Sequence, residues 1–208
     1  MARHLGNEPS VSIYGACVLD LGEFERARFC FEQQFTMDRR VGYVSGIVNG
    51  LCDIGHVYFL QSDAARGQEF YEQSLAFCRE HGMEPDRAPL FYLCLTALYQ
   101  NEYAEAEERF IGLYQYAEDK RKKRDVLNLL SGLAAVAGGT GQPERGARLY
   151  VAAQAILNET GYQYPPFFRA VFDPPMQMAK EALGEAAFEV IAEEGHTMSV
   201  EQAVGYAF

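Results

Sequence analysis

Apolar side chains along this chain recur at steps of three and four residues, a spacing that places them on one face of a helix. Residues 44–58 show this spacing throughout, and residues 70–78 and 90–98 show it as well. No stretch has the sustained two-residue alternation that is typical of a half-buried strand. The pattern therefore predicts an all-α protein.

A second pattern repeats four times, with a period of about 40 residues. In each copy a polar turn leads to a small residue, an aromatic residue follows four positions later, and another small residue lies twelve positions earlier. Small residues on two paired helices let the backbones approach closely, and the aromatic ring fills the space beside the crossing. The four triplets are Gly15, Ala27 and Phe31; Gly55, Gly67 and Tyr71; Cys94, Ala106 and Phe110; and Ala134, Gly146 and Tyr150.

Helix pairs recurring in this way resemble the tetratricopeptide (TPR) repeat. The turn Leu-Gly-Glu-Phe-Glu-Arg-Ala, which ends at Ala27, carries the resemblance most clearly, whereas Ala64 and Pro143 replace the turn aromatic in the second and fourth copies. The resemblance implies four TPR-like helical hairpins over residues 1–160, stacked as a superhelix of antiparallel helix pairs. Because the period exceeds the standard length of about 34 residues, we expect longer helices or longer links.

Residues 161–208 depart from the repeat, and we expect them to form C-terminal capping helices within the same continuous domain. Pro165 and Pro166 are placed to open a helix. We expect Asp173-Pro174-Pro175 to interrupt that helix, because proline is tolerated only in a first turn. The run from Ser199 to Gln202 predicts a capping box for a last helix that ends at Phe208. Such a tail would cover the last apolar face of the stack.

A narrower resemblance lies in the second half of the chain, in residues 131–137, 141–149, 152–155, 182–188 and 199–204. These segments are similar to the C-terminal repeat region of large bacterial ATP-binding transcriptional regulators of LuxR and SARP type. The chain departs from that family at Phe167-Phe168 and Asp173-Pro174-Pro175, and it has no phosphate-binding loop motif. The resemblance implies an interaction or effector-sensing scaffold of a bacterial transcriptional regulator, either as a fragment or as a stand-alone relative.

The tetratricopeptide register also implies which residues line the concave inner wall. That groove would be mostly apolar, with amide and hydroxyl groups at its sides, and would suit an apolar helix or a small hydrophobic ligand. One alternative is that the tail fills the groove, and another is that residues 162–172 roof a small-molecule site. The candidate groove residues are Asn49, Cys52, His56, Phe59, Phe91, Leu95, Leu98, Tyr99, Asn128 and Ser131.

Charge and composition narrow the classes of partner. The net charge of −11 disfavours direct binding to nucleic acid or to an anionic membrane, since phosphate contacts need a surplus of Lys and Arg. The basic run 120–124 is interpreted as a solvated link, with a docking patch as the alternative. The start of the chain lacks a signal-peptide core, and no apolar run approaches the roughly 20 residues that span a bilayer. We expect a cytoplasmic protein with a protein or peptide partner, and homodimerisation through the first repeat remains open.

The sequence offers little for catalysis or metal binding. Its five cysteines contain no C-x-x-C pair and are expected to be free, small, buried side chains. None of the four histidines stands at metal-ligand spacing. His56 could contact a ligand or be purely structural, and Gly138–Gly141 is expected to be a turn. We therefore expect no enzyme activity, no metal and no cofactor, with an unrecognised active site as the remaining alternative.

Overall fold

The structure is a computed structural model that describes residues 11–85, 87–116, 122–162, 164 and 166–208, except for the side chains of residues 12, 166 and 167. These residues form helices and contain no strand, which confirms the all-α prediction. None of the described helices is long and apolar enough to cross a bilayer. The helices are α1 (Val11–Asp20), α2 (Phe24–Val41), α3 (Val44–Leu60), α4 (Ala64–Glu80), α5 (Arg87–Tyr99), α6 (Tyr103–Gln115), α7 (Lys123–Gly139), α8 (Pro143–Thr160), α9 (Pro166–Leu183), α10 (Glu185–His196) and α11 (Val200–Ala207).

The chain divides into two compact units, and the boundary falls inside α5. The first unit ends at Tyr92 and contains α1 to α4, while the second begins at Leu93 and contains α6 to α11. The division into repeats over residues 1–160 and a cap over residues 161–208 stays a prediction.

In the first unit, small residues bring paired helices into contact. A Cβ atom added to Gly67 on α4 would lie 3.0 Å from the carbonyl oxygen of Gly55 on α3. A Cβ atom on Gly55 would lie 2.8 Å from the Tyr71 ring, and one on Gly15 would lie 2.8 Å from the Phe31 ring. The close approach of paired helices, with an aromatic ring beside the crossing, is confirmed for these two pairs.

The second unit repeats the close approach with one difference. A Cβ atom added to Gly146 on α8 would lie 3.2 Å from the carbonyl oxygen of Ala134 on α7. Phe110 is fully buried, and its ring lies 2.5 Å from the position of a Cβ atom on Gly132. Tyr150, the aromatic residue of the fourth copy, is only partly buried and lines a cavity.

The expectation that Asp173-Pro174-Pro175 interrupts a helix is wrong, because helix α9 runs without a break through Pro174 and Pro175. Proline has no N–H, so the carbonyls of residues 170 and 171 lose their donors within the helix. Packing compensates: α9 lies against α7 and α8, and any side chain at Gly138 on α7 would clash with the carbonyl of Pro175. The tertiary contact therefore keeps helical a segment that its local sequence would break.

The last two helices pack against α8 and α7. The predicted capping box is confirmed, since the Ser199 hydroxyl accepts from the Gln202 N–H at 3.2 Å and the Gln202 side chain accepts from the Ser199 N–H at 2.8 Å. Arg145 on α8 donates to the Ala207 carbonyl at 2.9 Å, and Arg148 pairs with Glu194 at 2.9 Å. Both terminal helices are thus held to α8 by its arginines.

The cysteines are free, as predicted, but they are not all buried. Cys30, Cys52, Cys78 and Cys94 are buried, whereas Cys17 is exposed. Gly15 and Val18 form the buried face of α1, and Cys17 lies on the other side of that helix. Burial raises the pKa of the Cys94 thiol to about 12, so this thiol stays protonated and unreactive at neutral pH.

Candidate functional site

The candidate groove residues fall in both units. In the first unit Asn49 is exposed on α3, while Cys52, His56 and Phe59 on the same helix are buried, and Phe91 on α5 is partly buried. The His56 ring lies 4.6 Å from the Tyr92 ring, centroid to centroid. Desolvation by burial lowers the pKa of His56 to about 4, so the imidazole is neutral at pH 7.

Asn49 lines a cavity of about 230 Å³ between α2 and α3. Asp38 and Asp53 face the same space, and Gln34 donates to both Asp38 oxygens at 3.1 Å. Desolvation raises the pKa of the Asp53 carboxyl to about 6. This small cavity lies apart from the buried Cys52, His56 and Phe59, none of which lines it.

In the second unit Leu95 and Leu98 are buried, and Leu95 has no exposed surface at all, whereas Tyr99 on the same helix is 45% exposed. The structure brings together the other two candidates, Asn128 and Ser131 on α7. The hydroxyl of Tyr164 lies 3.2 Å from the Asn128 side-chain oxygen and 3.3 Å from the Ser131 hydroxyl. Since Tyr164 has one hydroxyl proton, it can donate to only one of these oxygens at a time.

Beside this contact lies a cavity of about 460 Å³, which we call the tyrosine cavity. It is enclosed by α7, α8, α9 and the link between α8 and α9. Its lining residues are Ser131, Tyr150, Gln154, Leu157, Asn158, Gly161, Tyr162, Tyr164, Arg169, Phe172 and Asp173.

Aromatic rings form one wall of the tyrosine cavity. The Tyr164 ring lies 5.5 Å from the Tyr162 ring in an edge-on arrangement, and 5.5 Å from the Phe172 ring. It also meets the Phe168 ring edge-on at 5.4 Å. Such edge-to-face contacts are favourable, so they fix the position of Tyr164. Burial raises the pKa of Tyr164 well above its ordinary value, and its hydroxyl therefore stays neutral.

Polar side chains of α8 and α9 form much of the remaining lining, which we call the polar wall. Tyr150, Gln154 and Asn158 stand at successive four-residue steps on α8, and Arg169 and Asp173 stand one turn apart on α9. The pKa of Tyr150 is raised, first by burial and then by the negative charge of Asp173, while Arg169 and a hydrogen bond with Gln154 oppose the shift. Both charges on α9 therefore lie within electrostatic reach of the Tyr150 hydroxyl.

A second cavity, of about 600 Å³, adjoins the first and shares Tyr150 and Asp173 with it. Its other residues come from α9 and α10, among them Lys180 and Phe188. The Lys180 ammonium lies 5.4 Å from the centre of the Phe188 ring, within range of a cation–π contact. Tyr150 and Asp173 thus separate two concave spaces along one side of α9.

Ser131 and the segment 162–172, which contains Arg169, were predicted as possible site residues, whereas Tyr150, Gln154, Asn158 and Asp173 were not predicted as members of one site. Tyr150 was assigned to helix packing, by analogy with the aromatic residue of the other copies. The signal that could have found the others is their spacing, since positions four apart on a helix share a face. Which helix that face would meet cannot be read from spacing alone.

Other expectations concern metals and basic residues. Within the described parts of the chain, no group of three or more His, Cys, Asp or Glu side chains could hold a metal ion. Of the basic run, Lys122, Lys123 and Arg124 are described, and Lys123 pairs with Glu159 of α8. Lys120, Arg121 and Pro165 lie outside the described residues, as do His4 and the rest of the first ten residues.

Comparisons with protein-family models, with curated proteins and with solved structures found no match to this chain. The two adjoining cavities of the second unit are therefore interpreted from their own geometry.

Proposed function

We propose that this protein is an effector-sensing helical-repeat module that binds a small molecule in the tyrosine cavity. The frame is a TPR-like superhelical stack of hairpins, and the biological setting is a bacterial transcriptional regulator, as the sequence resemblance implies. The observation that carries the proposal is the tyrosine cavity itself, whose roof residue Tyr164 is anchored to Asn128 and Ser131.

Size and chemistry support a small-molecule ligand. The volume of about 460 Å³ lies within the range of roughly 300–1,000 Å³ that is usual for ligand sites. Such sites combine apolar and aromatic walls with a few fixed polar groups. Here Tyr162, Tyr164 and Phe172 supply the rings, while Gln154 and Asn158 supply amides.

A comparison of the aromatic residue in the four copies of the repeat supports the same interpretation. Phe31, Tyr71 and Phe110 are buried at 3% exposure or less, as a purely structural position requires. Tyr150, the equivalent residue of the fourth copy, is instead only partly buried and lines two cavities. The partial burial of Tyr150 leaves it able to contact a ligand, which the buried aromatic residues of the other copies cannot do.

The proposal is for binding without catalysis. Catalysis would need a nucleophile and a base whose pKa values suit neutral pH. The hydroxyl pKa values of both Tyr150 and Tyr164 are raised, so neither residue ionises readily. The protein or peptide partner that a regulator needs in order to transmit the signal stays a prediction, as does homodimerisation.

The test is a thermal-shift screen of small metabolites with the full chain. A ligand at about one hundred times its Kd adds roughly 2.7 kcal/mol to the free energy of unfolding and raises the Tm accordingly. Each hit is measured again with Asn158→Trp, which places a large side chain at the exposed edge of the tyrosine cavity. We expect this variant to lose the shift.

Glu159→Trp is the matched control, because it adds the same side chain one position further along α8, at a residue that does not line the cavity. It removes a pair with Lys123 whose side chains are 42% and 61% exposed, a loss that costs little. A screen without hits, or hits that both variants bind equally well, would contradict the proposal.

A further inference from the structure

The charged residues of the tyrosine cavity indicate the chemical class of its ligand, which the volume of the cavity does not. Arg169 and Asp173 both line the cavity and stand one helical turn apart on α9. An arginine and an aspartate at this spacing commonly pair with each other. Within the described residues, however, these two side chains form no ion pair and no hydrogen bond with each other or with any other group.

Several other arginines of the second unit do have acidic partners. Arg109 pairs with Glu105, Arg145 with Glu107, and Arg148 with Glu194. These three arginines have acidic partners, and none of them lines the tyrosine cavity. Among the residues that the structure describes, Arg169 and Asp173 have no such partner at the place where a ligand would sit.

Both charges line the same cavity and act on the same hydroxyl group. The positive charge of Arg169 lowers the pKa of Tyr150 and the negative charge of Asp173 raises it, so each acts on one hydroxyl group. A ligand beside that hydroxyl would meet a cation and an anion together. An anionic ligand would be attracted by Arg169 and repelled by Asp173. A cationic ligand would be attracted by Asp173 and repelled by Arg169.

We propose that the tyrosine cavity binds an α-amino acid in its zwitterionic form, with the carboxylate on Arg169, the ammonium on Asp173 and an aromatic or apolar side chain against Tyr162, Tyr164 and Phe172. The assignment rests on the proposed function and specifies its ligand class. It follows from the lining of the cavity, which combines these two unpaired charges with the three aromatic rings.

Amide groups complete the recognition. Gln154 and Asn158 lie one and two turns along α8 from Tyr150, and both can donate to a carboxylate or accept from an ammonium. A planar guanidinium can hold both oxygens of a carboxylate in two parallel hydrogen bonds. The polar wall therefore matches the backbone part that all α-amino acids share, and the aromatic wall selects among side chains.

The experiment measures binding of the common α-amino acids to the full chain by isothermal titration calorimetry. The tightest binder is then compared with its analogue without the amino group and its analogue without the carboxylate. For phenylalanine these analogues are 3-phenylpropionate and phenethylamine. We expect each analogue to bind roughly tenfold more weakly or worse, since each lacks one charge-assisted contact.

Two variants connect that discrimination to the named residues. Arg169→Gln should abolish the preference for the amino acid over its analogue without the carboxylate. Asp173→Asn should abolish the preference for the amino acid over its analogue without the amino group. Both side chains are exposed, so we expect both variants to fold. Lys180→Gln and Glu181→Gln carry the same changes in charge on the same helix outside the tyrosine cavity, and they should keep both preferences.

The outcomes separate this inference from the proposed function. If no amino acid binds but a neutral, anionic or cationic compound does, and Asn158→Trp blocks it, the function stands and the amino-acid assignment is wrong. If an amino acid binds and both of its analogues bind as tightly as it does, the placement of the carboxylate on Arg169 and of the ammonium on Asp173 is wrong. If Asn158→Trp changes the binding of no compound, both proposals fail together.

Discussion

At the scale of single residues, burial sets the protonation of two side chains on α3. Desolvation raises the pKa of Asp53 to about 6 and lowers that of His56 to about 4. The two shifts act on stability in opposite directions. The folded state holds a proton on Asp53 that the unfolded state releases, so this contribution to stability is lost as the pH rises from about 4 to 6. His56 contributes stability that is lost as the pH falls through the same range.

Replacing the carboxyl separates the two effects. We predict that Asp53→Asn raises the free energy of unfolding at pH 7, by at most about 3 kcal/mol, because it removes a charge that burial disfavours. The gain should shrink steadily as the pH falls from 6 to 4, where the wild-type carboxyl becomes protonated in the folded state. Urea unfolding at a series of pH values measures this difference.

Glu69→Gln is the control for that series, since Glu69 lies exposed on α4 in the same unit. It should change stability little at any pH. An Asp53→Asn effect that is the same at pH 7 and pH 4 would show that ionisation of the buried carboxyl is not its cause.

At the scale of elements, α9 forms one side of the tyrosine cavity, and its position depends on a glycine of another helix. Gly138 on α7 has no side chain, and the Pro175 carbonyl occupies the space that a side chain would need. The buried Phe168, Phe172 and Met176 lie on the inner face of α9. The glycine and these apolar side chains together hold a helix that contains two internal prolines.

We predict that Gly138→Ala destabilises the protein by roughly 1–3 kcal/mol, because the added methyl group forces α9 away from α7. It should also weaken ligand binding in the tyrosine cavity, since Arg169, Phe172 and Asp173 would move with α9. Chemical denaturation and the calorimetric titration described above measure the two effects.

Gly112→Ala provides the comparison within the same unit. Gly112 lies inside α6, and nothing lies within 4 Å of the position that its Cβ would take. Alanine in an open helical position stabilises a helix by roughly 0.5–1 kcal/mol relative to glycine. If both substitutions had the same effect, the contact between Gly138 and Pro175 would not be what positions α9.

At the scale of the whole molecule, charge is the property that bears on partners. A net charge of −11 repels polyanions at the distances where encounter begins. Several of the arginines are already paired with acidic side chains, which offsets part of the positive charge that phosphate groups could contact. A regulator built on this chain would contact DNA through another polypeptide or another domain.

We therefore predict that the full chain shows no measurable binding to duplex DNA at about 0.15 M salt, whereas nonspecific DNA-binding proteins typically bind in the range of roughly 10⁻⁴–10⁻⁶ M. Fluorescence anisotropy of a labelled duplex measures this, with a basic DNA-binding protein as the positive control. Affinity that falls steeply with added salt would contradict the prediction and would draw attention to the basic run 120–124.

The sequence by itself determined which segments become helices and where several pairs of them cross. Helical periodicity depends on local spacing, and Gly15, Gly55, Gly67 and Gly146 mark close approaches because only a missing or small side chain allows them. The capping box of the last helix is equally local, since it joins residues three positions apart.

Tertiary structure alone decided the course of α9 and the surroundings of Tyr150. Local rules break a helix at Pro174-Pro175, yet packing against Gly138 outweighs that preference. Tyr150 follows the repeat pattern in sequence, but the placement of α9 gives it a cavity instead of a packing partner. Arg169 and Asp173 come within electrostatic reach of Tyr150 only because α9 lies beside α8, and α9 carries no repeat pattern whose spacing would predict that contact.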